Sequence, residues 1–194
     1  MKSCSLRERL MEAGTKVFAQ KGYAGASVNE IARKAGASKP VLYYYFKNKE
    51  GLYLAILSYG FEERMRLIRE AFSAPADWRE RLVKMVDAVL CMAQKRQDLC
   101  KVTFHAAFAP KEEAPRGIQL QKRGRRLIEA FQSFIKQGVK EEFFRKDTDV
   151  RMLAAALHGQ LLFYGLMQML NPSVLPPRLR AEEIVEIFLN GAKQ

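Results

Sequence analysis

The sequence predicts an all-α protein of about nine helices, with an N-terminal three-helix domain followed by a larger C-terminal helical bundle. Three observations carry this. Apolar residues recur at three- and four-residue spacings along most of the chain, and no stretch alternates as a half-buried strand does. Serine, aspartate or asparagine precedes many of these stretches and glycine, asparagine or proline follows them, which is the punctuation of helix starts and stops. At 194 residues, 48% of them hydrophobic, the chain can fill a core and has room for one ordinary domain plus a small one.

The first helix opens on a capping box, Ser5 with Glu8, carries the stripe Leu6, Leu10, Ala13, Val17 and Phe18, and ends before Gly22. Residues 1–5 read as a disordered start. Ser27 with Glu30 reads as a second capping box, opening a helix that uses Val28, Ile31, Ala32 and Ala35 and stops at Gly36. Ser38 caps a third helix with Pro40 in its first turn; it continues to Phe46, and Leu42 and Phe46 form its core pair. The two helices joined by Gly36-Ala37-Ser38 form a helix-turn-helix, whose second helix can lie in a DNA major groove. Asn48 caps a fourth helix running to about Phe72, with Leu52, Ile56, Tyr59 and Met65 facing inward. The expected domains are 1–48 and 49–194, connected by this helix over about 49–72.

Asp77 then caps a helix with the face Leu82, Met85, Val86, Val89 and Met92, and Arg96 to Phe108 forms the next, ended by Pro110. A seventh helix, from Pro115 to about Lys140, has the inward seam Leu120, Gly124, Leu127, Phe131, Phe134 and Gly138, flanked by the basic cluster Lys122, Arg123, Arg125 and Arg126, which reads as a solvated face. Asp147 or Asp149 starts the eighth, which ends at Asn171-Pro172. A loop containing Pro176-Pro177 leads to the ninth, with Ile184, Ile187 and Phe188, ending near Gly191. Helices 8 and 9 are apolar on more than one side, so one flank is expected to meet a second subunit.

Charge and cysteines narrow the function. The chain carries +12 overall, and its first 50 residues hold 10 basic against 4 acidic, so half the excess sits on a quarter of the length. That bias suits a polyanion bound at the N-terminal end. Cys4, Cys91 and Cys100 are odd in number and form no Cys-x-x-Cys pair, which points to a reducing compartment. With only His105 and His158 besides, no metal site or cofactor is expected. No apolar run of the ~18 residues a membrane span needs is seen, and the N-terminus has no signal-type segment, so the expected location is the cytoplasm. No phosphate-cradling loop, nucleophile arrangement or carboxylate cluster suggests an enzyme.

The stretch from Gly22 to Leu52 resembles the DNA-binding domain of the TetR (tetracycline repressor-like) family of bacterial transcriptional regulators. The resemblance rests on Lys-Gly-Tyr at the end of the first helix, Ser-Val-x-Glu-Ile-Ala opening the second, Ala-Gly-x-Ser in the turn, and Leu-Tyr-Tyr-x-Phe-x-x-Lys across the third. It covers about a quarter of the chain. One such helix reads only a few base pairs, so a two-fold homodimer, paired through helices 8 and 9, is expected on palindromic double-stranded operator DNA. Phosphate contacts would fall to Ser27 at the start of helix 2 and to Tyr44, Lys47 and Lys49. Base reading would fall to Ser38, Lys39, Val41, Tyr43 and Tyr45, with Lys39 able to donate to guanine and Val41 to touch a thymine methyl; the family often has histidine where Tyr45 stands. The three tyrosines span about 200° of helix, so they cannot all face the core.

The same resemblance implies a small-molecule effector, mostly apolar, bound inside helices 4 to 8, with helix 4 as the lever to the DNA. Trp78, Met85, Phe104, His105, Phe108, Phe131, Phe163, Tyr164 and Met167 are the candidate lining, His105 being the polar candidate. The expectation is a repressor released by its ligand; the alternative is a regulator of the same fold controlled by a protein partner or by no effector.

Overall fold

The computed structural model describes residues 5–108, 120–171, 173 and 180–190. Among them are nine α-helices and no strand: α1 (Leu6–Gly25), α2 (Val28–Lys34), α3 (Lys39–Phe46), α4 (Lys49–Phe72), α5 (Trp78–Lys95), α6 (Gln97–Phe108), α7 (Leu120–Lys140), α8 (Val150–Leu170) and α9 (Ala181–Asn190). The expected stop at Pro110, start at Pro115, Pro176-Pro177 loop and end near Gly191 lie outside the described residues, as do residues 1–4 and the Leu120 side chain.

The chain forms two compact units. The first comprises α1, α2, α3, α4 as far as Glu62, and α6; the second holds the rest of α4 with α5, α7, α8 and α9. In the first unit the Ser5–Glu8 box forms as read: the Glu8 amide donates to Ser5 Oγ at 3.2 Å and the Ser5 amide to Glu8 Oε2 at 2.8 Å. α1 breaks at Gly22 (φ 68°), where its stripe was expected to stop. Leu10, Val17 and Phe18 pack with Ile31, Leu42, Phe46, Leu52 and Ile56 as a closed core. Gly60 of α4 meets α6, where an added Cβ would stand 2.7 Å from Thr103 Cγ2. Tyr59, expected inside, is exposed, because the buried ridge of α4 runs through Leu52, Ile56 and Gly60 and leaves it at the edge.

In the second unit Trp78 joins Phe72, Phe134, Phe143 and Phe144 in an aromatic cluster, with its ring 5.0 Å from Phe134. Its indole Nε1 donates to Glu141 Oε2 at 2.9 Å, which satisfies the one polar group such burial would orphan. Asp77 caps α5 through the Glu80 amide at 2.8 Å, and Asp149, not Asp147, caps α8; Asp147 instead pairs with Arg145. The α7 seam holds at Leu127, Phe131, Phe134 and Gly138, but Gly124 faces solvent with open space around it. Lys122, Arg125 and Arg126 are exposed and Arg123 is half-buried. By length and composition α8 is long and apolar enough to cross a membrane, although it holds no unbroken apolar run of that length; here its Leu157 and Leu161 are core residues of the bundle.

His158 of α8 lies with its ring 5.2 Å from that of Phe131. Burial, and secondarily the charge of Arg64, hold its pKa below the ordinary value. The unfolded chain therefore binds a proton that the folded chain resists. This part of the stability is full above the unfolded pKa of about 6.5 and is lost as pH falls below it. Melting followed from pH 8 to 5.5 should show a decline that is shallower in His158→Leu.

Candidate nucleic-acid interface

The helix-turn-helix is built by local hydrogen bonding that the sequence dictates. α2 ends in a Schellman motif: the Ala37 amide donates to Ala32 O at 2.9 Å and the Gly36 amide to Arg33 O at 3.2 Å, with Gly36 at φ 66°. α3 then presents its sequence in a fixed register. Leu42 and Phe46 are buried, and Tyr44, two residues from each, points the opposite way and is 83% exposed. Tyr43, Tyr45, Ser38, Lys39 and Lys47 are exposed around it, and Val41 is half-buried. The Lys39 ammonium lies 5.6 Å from the Tyr43 ring centre, and Tyr44 and Tyr45 meet edge to face at 5.2 Å. The tyrosines thus form an outward surface, with Leu42 and Phe46 as its floor.

Two expectations about caps fail. Ser27 and Ser38 occupy the N-cap positions of α2 and α3, but neither hydroxyl makes a cap bond. Glu30, the expected partner of Ser27, is taken by Lys21 Nζ at 2.6 Å and Lys34 Nζ at 3.3 Å. Those two ammonium groups, Lys21 foremost, also hold its carboxyl below the usual range. Ser27 and Ser38 remain exposed at the starts of their helices, with their hydroxyls unused as caps.

The corner after α3 is tight. The Lys47 amide closes on Tyr43 O at 2.7 Å, and Lys47 itself adopts φ 65°, so that the Asn48 amide donates back to Phe46 O at 2.7 Å, a strained γ-turn. Asn48 Oδ1 accepts from the Gly51 amide at 2.7 Å, which is the cap of α4. The Phe46 carbonyl oxygen also lies against Gly51, where any Cβ would overlap it.

Lys49 is less available than its sequence suggests. Its Nζ donates to Ala24 O at 3.1 Å and stands 4.7 Å from the Tyr23 ring centre, and burial lowers its pKa. Tyr23 in turn packs on Tyr53 at 4.9 Å and Phe18 at 6.1 Å. This aromatic brace escaped the sequence reading; its signal was Tyr23 itself, one residue after the glycine that breaks α1.

The effector candidates divide between the units. Phe104, His105 and Phe108 lie in the first; Trp78, Met85, Phe131, Phe163, Tyr164 and Met167 lie in the second. Trp78, Met85 and Phe131 are buried, and Phe104, Tyr164 and Met167 are half-buried. His105, Phe108 and Phe163 are not interior in the single chain, Phe108 being 66% and Phe163 50% exposed. Helical phase explains this. α6 buries Leu99, Val102 and Ala106, leaving 105 and 108 outside, and Phe163 lies midway between the buried Leu161 and Gly165 of α8.

The N-terminal unit is a helix-turn-helix whose second helix exposes a tyrosine-rich face. Residues 10–56 match the family model for bacterial regulatory proteins of the tetR family. It is 42% identical over 82 residues to the HTH-type transcriptional activator FasR of Mycolicibacterium smegmatis, covering 42% of this chain and 37% of FasR. The chain therefore spans little more than a third of that relative. The fold is shared with the fatty acid degradation regulator FadR of Bacillus halodurans, at TM-score 0.78 and 19% identity over 100% of this chain and 99% of that one. It is shared also with the transcriptional regulator FadR of Bacillus subtilis, solved in complex with stearoyl-CoA, at TM-score 0.69 and 17% identity over 95% and 98%.

Proposed function

We propose that the protein is a cytoplasmic, homodimeric repressor that reads a palindromic operator with α3 and leaves it when a largely apolar, fatty-acyl type of ligand binds in the second unit. The observation that carries this is the register of α3, which buries Leu42 and Phe46 and turns Tyr43, Tyr44 and Lys47 outward beside Lys39. Ser38, Lys39, Val41, Tyr43 and Tyr45 read base edges, while Ser27, Tyr44, Lys47 and the remaining donors of Lys49 hold phosphates. The division of the chain at 48/49 treats α4, which runs unbroken from Lys49 to Phe72, as the connecting element.

Dimer formation is supported by α8 and α9. Met152, Ala156, Gly159, Phe163 and Leu170 follow one outward stripe of α8 without a charge, and Ile187 of α9 is exposed as well. Exposed contiguous apolar surface of this kind marks an interaction site. Two-fold symmetry then sets two recognition helices one or more turns of DNA apart, at ~34–36 Å per turn. The ligand class is supported by the apolar interior around Met85, Phe131, Tyr164 and Met167 and by the stearoyl-CoA complex of the Bacillus subtilis protein of this fold.

Fluorescence anisotropy on operator and random DNA across a salt series tests the reading. Lys39→Ala should relax sequence preference, whereas Lys49→Ala should weaken binding to both DNAs and lower the salt slope by about one. Equal losses on both DNAs for both variants would contradict the assignment.

A further inference from the structure

α1 carries a cation that the fold sets against the reading helix. The Arg7 guanidinium lies over the Phe46 ring of α3, 5.3 Å from its centre, within the range of a cation–π contact. The Phe46 ring is in turn 6.3 Å from that of Tyr45, and Tyr45 is 5.2 Å from Tyr44. Arg7 is therefore the end of a continuous row, Arg7–Phe46–Tyr45–Tyr44, that runs from α1 to the outward tyrosine face. Arg7, Lys39 and Lys47 are all exposed, so α3 has Lys39 at its opening end and Lys47 with Arg7 at its closing end.

The contacts that hold Arg7 leave its charge unanswered. Its Nη1 donates to Met11 Sδ at 3.4 Å, a weak acceptor, and its other partner is a ring face. Among the described residues it makes no ion pair; the adjacent Glu8 has its carboxylate on the Ser5 amide at 2.8 Å. Lysines of the same unit are answered inside the fold: Lys16 by Glu12 at 2.9 Å, Lys21 by Glu30 at 2.6 Å, and Lys49 by the Ala24 carbonyl at 3.1 Å. A guanidinium held on a ring keeps several N–H donors, and their planar fork fits a phosphate. The ring contact also fixes the side chain before DNA arrives, which reduces the entropy lost on binding.

We infer that Arg7 extends the nucleic-acid interface from the helix-turn-helix onto α1, donating to a backbone phosphate at the edge of the half-site, with Phe46 as the platform that positions it. This rests on the DNA-binding reading above and adds a contact from outside the two motif helices. The contact is sequence-independent, since phosphates carry no base identity. A purely structural role has a different signature: the ring contact alone would stabilise the fold and leave the salt dependence of DNA binding unchanged.

The test uses the full chain and a random-sequence DNA duplex, with fluorescence anisotropy across a potassium chloride series and melting curves as readouts. Arg7→Ala should lower the slope of log affinity against log salt by about one per bound subunit, and weaken binding about fivefold per subunit at ~150 mM salt. Arg7→Lys keeps the charge and should keep the wild-type slope. Lys16→Ala is the control for net charge: it removes a cation from the same helix, about two and a half turns away and so on the opposite side, and should bind DNA as wild type does. If Arg7→Ala does not fold, Arg7→Gln replaces it with the same expectation. A wild-type slope in Arg7→Ala, a slope lowered equally in Arg7→Lys, or an equal fall in Lys16→Ala would overturn the inference while leaving the role of α3 intact. Failure of wild type to bind the duplex even at low salt would overturn the DNA-binding reading, and this inference with it.

Discussion

Gly51→Ala should be the most damaging small substitution in the N-terminal unit. The added methyl has nowhere to go: it would overlap the Phe46 carbonyl oxygen, a backbone atom already held by the Asn48 amide at 2.7 Å. Relief would require opening the corner between α3 and α4, which sets the angle of the reading helix. The expected cost is about 2–4 kcal/mol, or ~4–16 °C in melting temperature for a chain of this size, together with loss of specific DNA binding. Gly124→Ala is the matched control. Gly124 sits inside α7 with nothing within 4 Å of an added Cβ, so the same methyl should stabilise by about 0.5–1 kcal/mol. Differential scanning calorimetry of the two variants checks the opposite signs.

Phe163→Arg should leave the single chain folded and abolish the dimer proposed above. Phe163 is 50% exposed and sits within the uncharged stripe Met152–Ala156–Gly159–Phe163–Leu170. A surface change of this kind costs a lone subunit within about 0.5 kcal/mol. In a two-fold contact the same arginine is buried twice, without a carboxylate on the stripe to receive it. Sedimentation should show a monomer, and affinity for a two-half-site operator should fall about 100-fold or more as each head binds alone. A variant that remains dimeric would show that the subunits pair elsewhere.

The sequence revealed helix order and phase well because these depend on neighbours within a turn or two. Gly36 ends α2, Asn48 caps α4, and Leu42 with Phe46 forms the floor of α3, each as its local pattern demands. Competition between distant groups was not legible. Ser5–Glu8 and Ser27–Glu30 carry the same signature, yet only the first forms, because Lys21, nine residues from Glu30, takes its carboxylate at 2.6 Å. Lys49 likewise reads as a free cation until the fold brings the Ala24 carbonyl and Tyr23 ring to it. The aromatic character of Phe108 and Phe163 suggested interior positions, but it is phase relative to the buried rows of α6 and α8 that turns them outward.

Selection from a random double-stranded DNA pool, run in parallel on wild type and Lys39→Ala, tests most directly whether the exposed face of α3 reads DNA as half of a two-fold pair. Wild type should enrich a palindrome whose half-sites are about one or more helical turns apart, centre to centre, and Lys39→Ala should degrade the preference at one symmetric pair of positions. Enrichment of no motif, or of an asymmetric one that Lys39→Ala leaves unchanged, would contradict the account.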